Sequence, residues 1–335
     1  MFHDTPPRPP FDPELADALI GLRQAQPPLT VETLPQMREA FRTAVETGAF
    51  GTADLTVGGK VTVEDVSVQR GDGEPDVPLL VLRPSSGTGP WPAIYHTHGG
   101  GMVVGSPRTT VSGLLPYVAE GLAVVVSVDY RLAPEAPDPA PVNDCYAGLV
   151  WVAEHSEQLS IDPGQILITG ESAGGGLAAG TALMARDRGY PTLTHQILVC
   201  PMLDDRLQTP SSRMLEGEGI WDRNDNLFGW TALLGERRGG PGVSPYAAPA
   251  RVEDPSGLPS TFIDVGAVES FRDEALDYAR RLARAGVDVS FHMWGGGFHG
   301  FDGLAPHAAV SQAATWVRDN YFRRALTAGS MATAR

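Results

Sequence analysis

The sequence predicts an α/β fold, a mostly parallel sheet covered by helices on both faces. Three observations predict it. Apolar runs of strand length recur along the chain: AVVVSVDY at 123–130, QILITG at 165–170, HQILVC at 195–200 and STFIDVG at 260–266. A strand buried on both faces has no solvent side and therefore need not alternate apolar with polar. Segments of helical spacing lie among these runs, at 141–158, 173–188 and 271–285, as crossover connections in a parallel sheet require. Finally, the chain has 335 residues, 42% of them hydrophobic. That suffices for one large α/β domain with an elaboration, or for two domains.

The elements follow in order. Residues 1–13 are proline-rich and are expected to form an irregular arm. Residues 14–47 have helical spacing, with Met37, Phe41 and Val45 on one face, interrupted at Pro27-Pro28 and at Pro35. VTVEDVSVQR at 61–70 alternates with strand period, and LLVLRP at 79–84 makes a second strand after a Gly/Asp/Pro turn at 71–76. PAIYHTH at 92–98 is a third. The helix at 141–158 presents Val142, Tyr146, Leu149, Val150 and Val152, and the Ala/Leu-rich helix at 173–188 ends near Gly189. The amphipathic helix at 271–285 ends at Gly286, the strand DVSFHMW follows at 288–294, and a helix at 307–326 closes the chain. Residues 205–250 carry no strand pattern and hold Trp221, Phe228 and Trp230 among polar residues and glycines. They are expected to be an insertion over the end of the sheet. The domain reading is an arm with cap helices at 1–50, a main domain at 51–204 and 251–335, and a cap insertion at 205–250.

Composition excludes several classes of function. Lys and Arg number 25 against 40 Asp and Glu, a formal charge of −15. Nucleic acid and anionic membrane surfaces both require a basic footprint, so neither is an expected partner. The two cysteines, Cys145 and Cys200, permit at most one bridge and have no metal-type spacing. The N-terminus lacks the basic and apolar regions of a signal peptide, and no apolar run reaches the roughly 18 residues of a membrane span. The cytoplasm is the expected location.

Four segments carry chemistry. Gly170-Glu171-Ser172-Ala173-Gly174 matches G-x-S-x-G between a predicted strand and a predicted helix. A sharp strand-to-helix turn strains the serine backbone and requires small neighbours, while the helix N-terminus favours developing negative charge. A rival match to a dinucleotide loop, Gly174-x-Gly176-x-x-Ala179, falls inside the helix rather than in a loop, and no P-loop lysine follows. Gly175 and Gly176 are read instead as letting this helix sit close to the sheet. His98-Gly99-Gly100-Gly101, directly after a strand, is the HGGG type of loop. Its expected oxyanion donors are the N–H groups of Gly99 and Gly100, together with that of Ala173, and His98 is expected to anchor the loop rather than act as a base.

His299 lies in Gly297-Phe298-His299-Gly300, after the last predicted strand. Of the eight histidines, only His98 and His299 occupy loops at the C-terminal ends of strands, where a parallel sheet gathers its site. His3 falls in the arm, His96 and His292 within strands, His155 and His307 on helices, and His195 at the start of a strand. The acid should follow STFIDVG. Glu269 comes first, Asp273 and Glu274 fall in the first turn of the next helix, and Asp264 lies within the strand. The resulting chain order is Ser172, Glu269, His299.

The motifs HGGGM at 98–102, YRLAPE at 130–135, GESAGG at 170–175 and GGFHGF at 296–301, with their spacing, resemble those of the hormone-sensitive lipase-like carboxylesterases, bacterial family IV of the α/β-hydrolases. The resemblance spans about 90–325. It implies the α/β-hydrolase fold, with an eight-stranded, mostly parallel sheet and a helical cap. It also implies hydrolysis of short-acyl esters with no cofactor and no metal. The chain departs from the family pattern in having Glu269 where the acid is usually aspartate, and Glu171 where aspartate often precedes the serine. Glu171 is expected to give a supporting hydrogen bond, and 129–135 a buried turn that buttresses the site.

The mechanism expected is that of a serine hydrolase. His299 takes the proton of Ser172 as it attacks the ester, Glu269 orients His299, and Gly99, Gly100 and Ala173 hold the oxyanion. Activity is expected to fall at acid pH as His299 protonates. Met102, Trp221, Phe228, Trp230 and Phe298 are candidates for an apolar substrate pocket. Hydrolysis of an amide, lactone or thioester remains open on the triad alone, whereas a non-catalytic ligand receptor is disfavoured by the presence of all three residues. The last strand, DVSFHMW, is a candidate edge for a homodimer.

Overall fold

The apolar runs form the sheet. The computed structural model describes residues 6–25, 27–49, 51–71 and 73–332; His3 and the start of the arm lie outside them. Its strands are β1 (Val61–Val68), β2 (Val77–Pro84), β3 (Trp91–Thr97), β4 (Val124–Val128), β5 (Ile161–Glu171), β6 (His195–Val199), β7 (Ser260–Gly266) and β8 (Val289–Trp294). They form one eight-stranded sheet in the order β1-β2-β4-β3-β5-β6-β7-β8. β2 runs antiparallel to both β1 and β4, and the remaining pairs are parallel.

The helices are α1 (Pro13–Ala25), α2 (Leu34–Thr47), α3 (Leu115–Ala119), α4 (Ala140–Glu154), α5 (Ser156–Leu159), α6 (Ala173–Arg188), α7 (Ser211–Met214), α8 (Arg223–Leu234), α9 (Arg272–Arg284), α10 (Phe301–Leu304) and α11 (Ala309–Ala332). They cover both faces of the sheet, and strand alternation sorts the core into two. Tyr95, Val126, Ile168, Leu198 and Ile263 pack with Leu149 of α4, Leu177 of α6 and Tyr278 of α9. Ile94, Val125, Leu167, Ile197 and Phe262, on the opposite face, pack with Tyr117 of α3 and Phe322 of α11.

Several boundaries differ from the sequence reading. Pro35 does not interrupt a helix: it occupies the first turn of α2, where a missing N–H costs nothing. The stretch 141–158 divides at His155 into α4 and α5, and β5 begins at Ile161, before the apolar run. A short helical stretch at 111–119, between β3 and β4, was not anticipated, because a glycine and a proline mask its periodicity. α11 starts at Ala309, so His307 precedes it.

The 205–250 insertion contains no strand among the described residues. It carries α7 and α8, the latter started by Asp222 in a capping box with Asp225. Buried Asp205 closes its base, accepting Arg251 Nε at 2.6 Å and the Gly239 N–H at 2.7 Å. β8 is the sheet's last strand and is only partly buried. No helix among the described residues is long and apolar enough to cross a membrane.

Candidate active site

Ser172 joins the end of β5 to the start of α6 with φ 57° and ψ −121°, a conformation that costs an L-residue energy. Three backbone bonds maintain it: its N–H donates to Val199 O at 2.9 Å, and its own carbonyl accepts Met202 N at 2.9 Å and Gly176 N at 3.1 Å. The turn is tight enough to exclude side chains around it. A Cβ on Gly174 would lie 2.0 Å from Thr97 O, and one on Gly170 would lie 2.4 Å from Gly174 O.

The loops after β5, β7 and β8 bring three side chains into line. Ser172 Oγ is 2.9 Å from His299 Nε2, and His299 Nδ1 is 3.1 Å from Glu269 Oε1. The second oxygen of Glu269 accepts the Gly266 N–H at 2.9 Å. This leaves Nδ1–H to donate to the acid and Nε2 to accept the serine proton. Phe271 meets the His299 ring edge-on at 5.1 Å. All three residues are buried, Glu269 completely.

The other acids are committed elsewhere. Asp273 accepts Ser211 N and pairs with Arg272, Glu274 accepts Leu203 N and Asp204 N, and Asp264 pairs with Arg318.

The loop after β3 faces the serine. A Cβ on Gly99 would lie 3.6 Å from Ser172 Cβ. Gly100 has φ 123°, and a Cβ there would come within 2.1 Å of Val104 O. Ala173 is the first residue of α6, so its N–H is not used within the helix.

A family model described as alpha/beta hydrolase fold matches residues 94–303. The chain belongs to the α/β-hydrolase family. The hydrolase is 35% identical to Carboxylesterase NlhH of Mycobacterium tuberculosis over 73% of its own length and 77% of that protein. It is 32% identical to an Arylesterase of Saccharolobus solfataricus, over 68% and 74% of the two chains. Among solved structures it resembles a Bacterial Heroin Esterase, with TM-score 0.86 and 38% identity over 94% of this chain and 98% of that one. Esterase LipW from Mycobacterium marinum gives TM-score 0.83 and 33% identity, over 95% and 98%.

Support for the site comes from groups behind it. His98 stacks on Tyr130 at 4.2 Å, its Nδ1 lies 2.8 Å from Gly99 O, and Tyr130 Oη donates to His98 O at 2.7 Å. Burial depresses its pKa to about 3, so the hydrolase keeps it neutral, as a loop anchor. Glu171 Oε2 lies 3.1 Å from His96 Nε2 and accepts Thr110 Oγ1 at 2.9 Å, while His96 Nδ1 lies 2.8 Å from Ser127 Oγ. Burial opposes ionisation of Glu171, but His96 and Thr110 hold it below the ordinary carboxylate range. Thr110 could not be foreseen, since nothing local to it marks a partner for Glu171.

Three expectations need correction. The 129–135 turn is buried only in part. Tyr130 and Ala133 are inside, the latter donating its N–H to Met102 O, but Glu135 is exposed and pairs with Arg38 of α2. Gly176 approaches the loop after β6, facing Met202 O, rather than the sheet, whereas Gly175 faces both that loop, at Pro201, and the sheet, at Gly170 O of β5. Among the pocket candidates, Met102, Trp230 and Phe298 are completely buried core residues. Met102 and Trp230 belong to the main core, and Phe298 packs with Phe11, Leu15 and Leu19, because successive residues of its loop point in opposite directions. Trp221 does border the site: its ring covers Gly101 and lies 6.4 Å from the His299 ring. Phe228 is half-buried on α8.

Cys200, Glu269 and His299 are the His, Cys and acid side chains that converge among the described residues, their donor atoms within 4.8 Å of one another. Two of them are already engaged with each other, and burial pushes the Cys200 thiol well up. Cys145 is also a free, buried thiol.

Proposed function

We propose that this member of the carboxylic ester hydrolases is a serine carboxylesterase, cleaving short-acyl esters through Ser172, His299 and Glu269 by way of an acyl-enzyme. The observation that carries the reading is the continuous chain from Ser172 Oγ through the two imidazole nitrogens to Glu269. His299 Nε2 takes the hydroxyl proton as Oγ bonds to the carbonyl carbon, and the Gly99, Gly100 and Ala173 N–H groups stabilise the oxyanion. When the tetrahedral adduct collapses, the alkoxide leaves with the proton held by His299. Water then attacks the acyl group, giving its proton to the same nitrogen, and Ser172 regains its hydrogen as the acid departs. The Glu269 carboxylate stabilises the imidazolium.

The preference for short acyl groups is supported by the limited exposure of Ser172 and His299, 8% and 9%, beneath the Trp221 ring. The N-terminal helices and the 205–250 insertion act as the cap that sets this access. β8 offers its free edge to a second copy of the chain; a monomer's mass by light scattering would end that part of the reading. The function itself is tested with p-nitrophenyl acetate, butyrate and longer esters, beside Ser172→Ala. Turnover of the short esters, lost in the variant, is expected. Equal activity in the variant would remove Ser172 as the nucleophile.

A further inference from the structure

Behind the triad lies a small cavity of about 10 Å³, room for about one water, lined by Cys200, Asp264, Glu269, Trp294, Asp302 and Arg318, among others. Its dominant feature is an ion cluster that the mechanism above does not use. Arg318, from α11, donates Nε and Nη2 to Asp264 Oδ2 at 3.2 and 2.8 Å, and Nη1 to Asp302 Oδ2 at 2.7 Å. The two acids belong to the two segments that must meet for catalysis. Asp264 is in β7, five residues before Glu269, and Asp302 is in α10, three residues after His299.

Backbone bonds already join these segments on one side of the histidine. Ala267 N donates to Trp294 O at 2.8 Å and Val268 N to Gly297 O at 2.9 Å, both before His299 in the loop. After His299 the chain passes through Gly300, at φ 72°, into the four-residue α10. Arg318 supplies the tie on that side.

We propose that Arg318 is a positioning residue: by bridging Asp264 and Asp302 it fixes the His299 loop against the Glu269 turn and keeps the imidazole between serine and acid. This rests on the triad reading above. A guanidinium suits the task because its planar fork can serve two carboxylates at fixed angles, which a lysine ammonium cannot reproduce. Burial opposes the ionisation of Asp302, yet Arg318 holds it below the ordinary carboxylate range, so the Asp302 arm of the bridge is a charged pair. Arg318 lies behind Glu269 and His299 rather than on the substrate side. Loosening it therefore changes how often the imidazole is in line, an effect on kcat rather than on KM.

The test compares Asp302→Asn, Arg318→Lys and Arg318→Met with the parent enzyme, by steady-state kinetics and by the downfield proton NMR signal of the His299 Nδ1–H. Asp302→Asn and Arg318→Lys are expected to lower kcat about tenfold with KM within about twofold, and to weaken or broaden that signal. Arg318→Met should lower kcat further. If Arg318→Met does not fold, the near-isosteric Asp302→Asn decides. Parent kcat and an unchanged signal in Asp302→Asn and Arg318→Lys would overturn the proposal, even if both melt at lower temperature. Ser172→Ala assayed alongside separates the two readings: if it is inactive while Asp302→Asn matches the parent, only the role of Arg318 is rejected.

Discussion

Glu269 holds His299 with one carboxylate oxygen and is itself held by the other. Oε1 lies 3.1 Å from His299 Nδ1, and Oε2 accepts the Gly266 N–H at 2.9 Å. The acid is thus fixed to the end of β7 as well as to the base. Replacing it with the neutral amide keeps the shape but removes the charge and permits the wrong tautomer. Glu269→Gln should lower kcat by roughly 10²–10⁴-fold. Asp273→Asn and Glu274→Gln, neighbours that face Ser211 and the 203–204 backbone, should each stay within about threefold of the parent on steady-state assay. A greater loss in Asp273→Asn than in Glu269→Gln would move the acid to Asp273.

The oxyanion loop gives a second prediction. A methyl on Gly100 would lie 2.1 Å from Val104 O at a φ of 123°, so the loop must move to accept it. Gly100→Ala should therefore misplace the oxyanion donors. A loss of about 10²–10³-fold in kcat is expected, of the size seen when one donor is removed, in protein whose circular dichroism spectrum is unchanged. Parent kcat would show that this loop does not bind the oxyanion.

The Trp221 ring lies over Gly101, 6.4 Å from the His299 ring. Trp221→Ala opens the space over Gly101 and should shift relative kcat/KM from acetate and butyrate towards longer acyl esters. Because the ring is only 9% exposed, truncation should also cost about 3 kcal/mol or more in chemical denaturation. An unchanged chain-length profile would place the acyl group elsewhere.

Asp264 supplies a pH signature in stability. Its pKa is pushed up from 3.8 to about 6, chiefly by burial and also by Asp302, against the pull of Arg318. A carboxyl raised in the folded state favours the protonated form there. Its ionised form costs stability above about pH 6, and that cost is relieved as pH falls through about 6 towards 4. Asp264→Asn cannot titrate. The stability of the variant minus that of the parent should therefore fall by up to about 3 kcal/mol as the pH is lowered across that window, read from urea midpoints. A difference that does not vary with pH would contradict the burial account.

What could be read from the sequence was what is local. Ser172 and the loop at 98–101 announce themselves because strand, turn and helix lie within a few residues, and Glu269 because it is the first acid after β7. The ion cluster around Arg318 was not legible. Arg318 is 54 residues from Asp264 and 16 from Asp302, and no periodicity marks an arginine that turns inward. Of the aromatic candidates, Trp221 borders the triad. Aromatic residues in a segment without strand pattern can face the core as readily as the site, and only tertiary packing distinguishes Trp230 from Trp221. Phe298 packs with Leu15 and Leu19 while its neighbour His299 takes the side of the loop that faces Ser172.

The central claim is that Ser172 is the nucleophile activated by His299. It is tested most directly by treating the active enzyme with diethyl p-nitrophenyl phosphate and locating the adduct by peptide mass spectrometry. The account predicts one phosphoryl group, on Ser172, formed in step with loss of esterase activity and absent from His299→Ala. Complete inactivation with the label on another residue, or full activity with Ser172 labelled, would contradict it.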